Sequence, residues 1–180
     1  GLSRGRALAW YVVRLALVGA AGATLLMTGE PARTFAQWRA DELPVHREAG
    51  RWLKDHVAPG SLLATGNAGV LPYESGLPTL DMYGLCDRHI AMRVMPRMGL
   101  GPAGHEKGDG KYVLDRKPAI ILVMRARFSD KPLRLEEIEG LRFSVGETEL
   151  FNDPRFLADY ELVSQRLPGF YFNYFKRRAS

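Results

Sequence analysis

Apolar residues fill most positions from 7 to 27, with Arg14 the one charge among them, before the pattern breaks into shorter periods. A helix over that run rises about 30 Å, the thickness of a bilayer's hydrocarbon core. Arg14 lies roughly two turns from the start of the run. Helical side chains lean toward the N-terminus, so its guanidinium is expected to snorkel to the interface beside Trp10 and Tyr11. Basic residues precede the run and Glu30 follows it, a charge bias that places residues 28–180 on the extracytoplasmic side. Two other readings compete: a signal peptide with small residues in "GAAGA" near a cleavage point, and a buried helix of a soluble domain. The chain starts with Gly1 rather than methionine and reads as a cut from a longer protein, which favours the last span of a larger membrane protein.

Beyond this run the pattern alternates between helix and strand. "PVHREAGRWLKDHVAPG" starts at Pro44, spaces Val45, Ala49, Trp52, Leu53 and Val57 along one helical face, and stops at Pro59 and Gly60. "SLLATG" predicts a buried strand, followed by a turn through Gly66 and Gly69. "PTLDM" predicts a second strand, "DGKYVLDRKP" a helix ending before Pro118, and "AIILVM" the most apolar strand of the chain. "YELVSQRLPGFYFNYFKRR" predicts two strands around Pro168 and Gly169. The expected fold class is α/β: a small, mainly parallel sheet with flanking helices and a C-terminal antiparallel hairpin, preceded by one transmembrane helix. The expected divisions are a last transmembrane helix over residues 1–27, a juxtamembrane linker over 28–43 and an extracytoplasmic α/β domain over 44–180.

Composition narrows the chemistry. The 46% hydrophobic content suits one domain with its own core. The net charge of +5 includes Arg4, Arg6 and Arg14, so from residue 28 onward the excess is only two, and no basic face points to nucleic acid. A lone Cys86 excludes an internal disulfide framework. "GNAGVLPYESG" follows a strand but matches neither dinucleotide nor Walker phosphate loops. Cys86, Asp87, His89, His105 and Glu106 fit no standard metal spacing, and no G-x-S-x-G elbow occurs. The aromatics of residues 170–175 suit a packed strand better than a sugar platform.

The segments "YESGLPTLDMYGLCDRHIA" and "GPAGHEKGDGKYVLDRKPAIILV" resemble the extracytoplasmic C-terminal domain of bacterial polytopic C-type glycosyltransferases, which use polyprenyl-phosphate sugars and include relatives of the mycobacterial terminal arabinofuranosyltransferase. The resemblance covers roughly residues 7 to 125. It rests on Tyr73, Ser75 and Gly76; on Asp81, Gly84, Leu85, Asp87, Ile90 and Ala91; and on Gly104, His105, Glu106 and Lys107.

The resemblance implies an accessory domain of an inner-membrane enzyme, facing the periplasm and shaping the groove for a cell-envelope glycan or lipid acceptor. The catalytic base would lie upstream, leaving no catalytic residue here. The expected partners are the lipid bilayer and, through the parent protein, the polyprenyl-phosphate sugar and its acceptor. No cofactor is implied, and a metal for the parent enzyme is left open. Tyr73, Glu74, Asp81, Asp87, Arg88, His105, Glu106 and Lys107 are the candidate substrate-binding residues. Two uses remain open for them: contact with sugar hydroxyls, or capping and turn-holding. The alternative class is a singly anchored, non-enzymatic envelope protein that binds glycan or a partner protein.

Overall fold

The computed structural model describes residues 4–96, 98–101 and 103–179, the side chains of residues 4–7, 25–32 and 38 excepted. The chain divides into two compact units, Gly1–Pro44 and Val45–Ser180. Helix α1 (Arg4–His56) runs through residues 28–43, expected as a linker, and past Pro44, expected as a helix start. Pro44 has no amide hydrogen, so that turn lacks one intrahelical bond while the helix continues.

In the first unit Leu8, Trp10, Tyr11, Val12, Val13, Leu15, Leu17 and Val18 are all exposed. Among the described residues, no helix is long and apolar enough to cross a membrane, and the transmembrane helix expected over residues 1–27 lies partly outside them. The side chains of residues 7 and 25–27 lie outside the described set.

The second unit is a mixed α/β domain. Strands β1 (Leu63–Thr65), β2 (Thr79–Asp81) and β3 (Ile120–Leu122) are parallel, with Leu63 opposite both Thr79 and Ile120. The sheet then turns antiparallel. The hairpin strands β5 (Tyr160–Leu167) and β6 (Phe170–Arg177) pair along their full length, and β6 also receives β3 and the short β4 (Phe128–Ser129) on its other flank. The two-residue turn works because Pro168 presets its own φ while Gly169 takes a φ of 88°. The α/β class, the parallel strands and the hairpin are those expected from the sequence.

Alternation along the strands sorts the core into two layers. Leu63, Ile120, Leu122, Phe172 and Tyr174 face Ala49 and Leu53 of α1 and Leu71 of α2 (Val70–Ser75). Ala64, Leu80, Ile121 and Phe175 face the opposite layer. That layer comprises α3 (Arg88–Met92), α4 (Gly110–Asp115), α5 (Leu135–Gly140), α6 (Val145–Asn152) and α7 (Pro154–Asp159), which contribute Ile90, Val113, Ile138, Leu150 and Phe156. The backbones of Gly108 and Gly146 touch where the approach to α4 crosses α6. A Cβ on Gly108 would come within 2.5 Å of Gly146.

Candidate functional site

The parallel strands end in one group of loops, the usual place for ligands in α/β sheets. The loop after β2 is shaped by Asp81, only 2% exposed. Its carboxylate accepts from the Tyr83 amide at 2.9 Å and the Cys86 amide at 2.6 Å. Both oxygens are thus used inside the turn. Asp87 caps α3, accepting from the Ile90 amide at 3.0 Å, and takes a second bond from the Tyr112 hydroxyl at 3.2 Å.

His105 stands between two aromatic rings, edge-to-face with Tyr83 and with Phe143, each at 5.0 Å between centroids. Its Nδ1 lies 3.0 Å from the Ala103 carbonyl. A carbonyl can only accept, so Nδ1 carries the proton and Nε2 is the acceptor of the neutral ring. The His105 ring lines a cleft of about 430 Å³ with Glu106, Met95, Pro96, Leu100, Phe143 and Val145. A neighbouring hollow of about 240 Å³ shares Glu106 and adds Tyr83, Leu85 and Lys107. One oxygen of Glu106 accepts from the Gly99 and Gly101 amides at 2.7 and 3.0 Å. Lys107 donates to the Ala91 carbonyl.

Beneath this cleft lies a buried carboxylate. Glu147 accepts from the Met124, Phe143 and Ser144 amides at 2.8, 2.7 and 3.2 Å, and from the Tyr83 hydroxyl at 3.3 Å. Burial, reinforced by this negative charge, pushes the Tyr83 phenol well above its ordinary range. Tyr83 and Phe143, the walls of His105, are therefore held by one anionic side chain.

A second, open cleft of about 610 Å³ is lined by Arg88, His89, Met92, Arg93 and Asp109. Its floor is an ion network. Arg93 grips Glu149 through both terminal nitrogens at 2.7 and 2.9 Å, and His89 Nε2 lies 3.0 Å from Asp109. Burial alone would raise Asp109, but the Tyr112 amide, His89 and Arg93 outweigh it and hold the carboxyl below its usual range.

Tyr73 and Glu74 take a different place. They sit on α2, where Tyr73 is 85% exposed and Glu74 faces Arg47 and Arg51 of α1 at 3.4 and 3.3 Å. Of the eight candidates, His105, Glu106 and Lys107 share adjoining hollows, and Arg88 lines the next cleft. Asp81 and Asp87 shape the loop between them. Among the described residues, no group of three His, Cys, Asp or Glu side chains is placed to hold a metal ion.

The sequence fits the model of a family described as Domain of unknown function (DUF8728) over residues 33–178. The chain belongs to that family. No curated protein and no solved structure matches it.

Sequence reasoning did not find Phe143, the wall of the His105 cleft, or Glu147 beneath it. A signal was present in "SVGE". Ser144 and Glu147 form a capping box, with the Ser144 hydroxyl accepting from the Glu147 amide at 3.1 Å. That pattern marks the start of α6, and with it the residue just before the helix.

Proposed function

We propose that this chain is the extracytoplasmic accessory domain of an integral-membrane glycosyltransferase that moves a sugar from a polyprenyl-phosphate donor to an envelope glycan or lipid. In this reading the His105 cleft receives part of the acceptor. The observation that carries it is the cleft itself: an imidazole acceptor between two aromatic rings, beside a carboxylate, formed by the G-H-E-K segment of the resemblance. The Phe143 wall suits a C–H face of a sugar, while Nε2 and Glu106 suit its hydroxyl donors.

Membrane attachment belongs to the same proposal. Over residues 8–18 the helix exposes Leu8, Trp10, Tyr11, Val12, Val13, Leu15, Leu17 and Val18 with Arg14 the one charge, so water is a poor surrounding for that stretch, and lipid or neighbouring apolar helices would cover it. With the catalytic base upstream, the role of this domain is to orient the acceptor.

The test is binding of envelope oligosaccharides to the chain in detergent or nanodiscs, followed by saturation-transfer NMR. Saturation should reach the sugar from Phe143 and His105, and His105→Gln should weaken binding about tenfold, the loss of roughly one good hydrogen bond. The chain alone should show no transfer from a polyprenyl-phosphate sugar. Turnover by the chain alone, or glycan binding indifferent to His105, overturns the proposal.

A further inference from the structure

We propose that the loop over residues 85–101 is a membrane-docking loop that seats on anionic lipid headgroups and inserts its apolar side chains among them. The inference rests on the membrane placement proposed above and assigns it a second contact. Leu85, Met92, Val94, Met98 and Leu100 all project into solvent, with Val94 90% and Leu100 83% exposed. Within the second unit, the other large exposed apolar residues described are Tyr73, Val145 and Leu157, so the exposure is concentrated in one loop. Val145 adjoins it across the His105 cleft.

The loop is fastened in the reverse of the usual way. Arg93 turns inward, clamped by Glu149 and donating to the Gly108 carbonyl, and from beyond the loop Lys107 holds Ala91 and Glu106 holds the Gly99 and Gly101 amides, while Arg88 and His89 face solvent. The apolar side chains are thereby kept pointing away from a core that could have absorbed them. Such an arrangement fits an apolar surrounding outside the domain.

Charge selects the occupant. Over residues 85–101 the sequence holds Arg88, Arg93 and Arg97 against one carboxylate, Asp87, which is spent capping α3. Arg93 is engaged by Glu149, whereas Arg88 is exposed and has no ion pair among the described residues. Cationic residues interleaved with Met, Val and Leu match the headgroup and acyl boundary of a negatively charged leaflet. Position agrees. The chain enters the second unit at Val45, and neighbouring His46 lies within 3.1 Å of Asn67, just past β1, and 3.2 Å of Arg127, past β3. The entry point and the loops at the strand ends therefore share one edge of the domain.

The test uses the full chain with Cys86→Ser and single cysteines at Val12, Val94, Leu100 or Leu157, each carrying an environment-sensitive fluorophore. The chains are reconstituted in vesicles of phosphatidylcholine alone or with 30% phosphatidylglycerol, containing a lipid-borne quencher. The expected result is quenching at positions 12, 94 and 100, at least twofold stronger for 94 and 100 with phosphatidylglycerol, and none at 157. Arg88→Glu should remove the phosphatidylglycerol dependence. Quenching at 12 with none at 94 and 100 overturns the docking loop and leaves the membrane reading standing. No quenching at 12 overturns both. A blue shift at 94 and 100 without lipid quenching identifies a protein cover and overturns the lipid assignment.

Discussion

Tyr83 and Glu147, 64 positions apart, meet at 3.3 Å inside the domain, and both are nearly fully buried. The carboxylate accepts three backbone amides as well as the phenol, so it ties the β2 loop, the end of β3 and the start of α6 to one side chain. Glu147→Ala leaves these donors without their acceptor. Chemical denaturation should show a loss of about 2–4 kcal/mol, with a Tm lower by roughly 6–12 °C. Glu147→Gln should fall in between, since an amide keeps only one of the two accepting oxygens.

Gly108 and Gly146 make a similar point through space rather than charge. A Cβ on Gly146 would meet the Gly108 Cα at 2.9 Å, backbone against backbone. Gly146→Ala is therefore expected to destabilise by about 1–3 kcal/mol. Gly140→Ala, whose Cβ would enter open space, should leave the denaturation midpoint nearly unchanged.

The two aspartates of the β2 loop should separate by mechanism. Asp81→Ala strands two amides in a buried turn and is expected to cost about 2 kcal/mol. Asp87→Ala removes a helix cap at the domain edge, worth about 1 kcal/mol. Equal losses in urea melts would contradict this division.

Stability should decline at both ends of the pH scale. Hydrogen bonds from Lys131 hold Glu137 down to about 2, and those from Arg155 hold Asp153 down to about 2. A depressed folded value gives stability that is complete above the unfolded value, near 4, and is lost as pH falls toward 2. On the alkaline side, burial pushes Tyr160 up to about 12 and raises Tyr83 and Tyr174. A raised value gives stability that is complete below the unfolded value, near 10, and is lost as pH rises above it. Denaturation midpoints from pH 2 to 12 should trace a plateau with two falling limbs. Arg155→Ala should flatten the acid limb, and Tyr83→Phe the alkaline one.

Much of this architecture was legible in the order of residues. "AIILVM" and "SLLATG" are runs that only a doubly covered strand tolerates, and both became central parallel strands. Pro168 and Gly169 marked the hairpin, and of the two uses left open for Asp87 the structure shows helix capping. The region from 128 to 159 carried weaker signals, because α5, α6 and α7 each span two turns or so and their apolar residues are too few for a period. Site geometry was less legible still. Tyr73 and Glu74 are near His105 in motif order but project from α2, on the α1 side of the sheet, and alternation across a sheet decides that placement.

Strand β6, residues 170–177, has its own consequence for how the chain is made. It follows the other described strands in the order of synthesis, yet β4 and β5 pair with it alone and β3, held by β1 on one flank, needs it on the other. While it is still inside the ribosome, Ile120 and Ile121 present an open, apolar sheet edge of the kind that other chains can join. The domain therefore closes late and over a long stretch of sequence, a slow step for any chain and one that exposes the nascent domain to aggregation. A stop introduced before Phe170 would strip β4 and β5 of their partner and leave the outer edge of β3 uncovered for the lifetime of the protein.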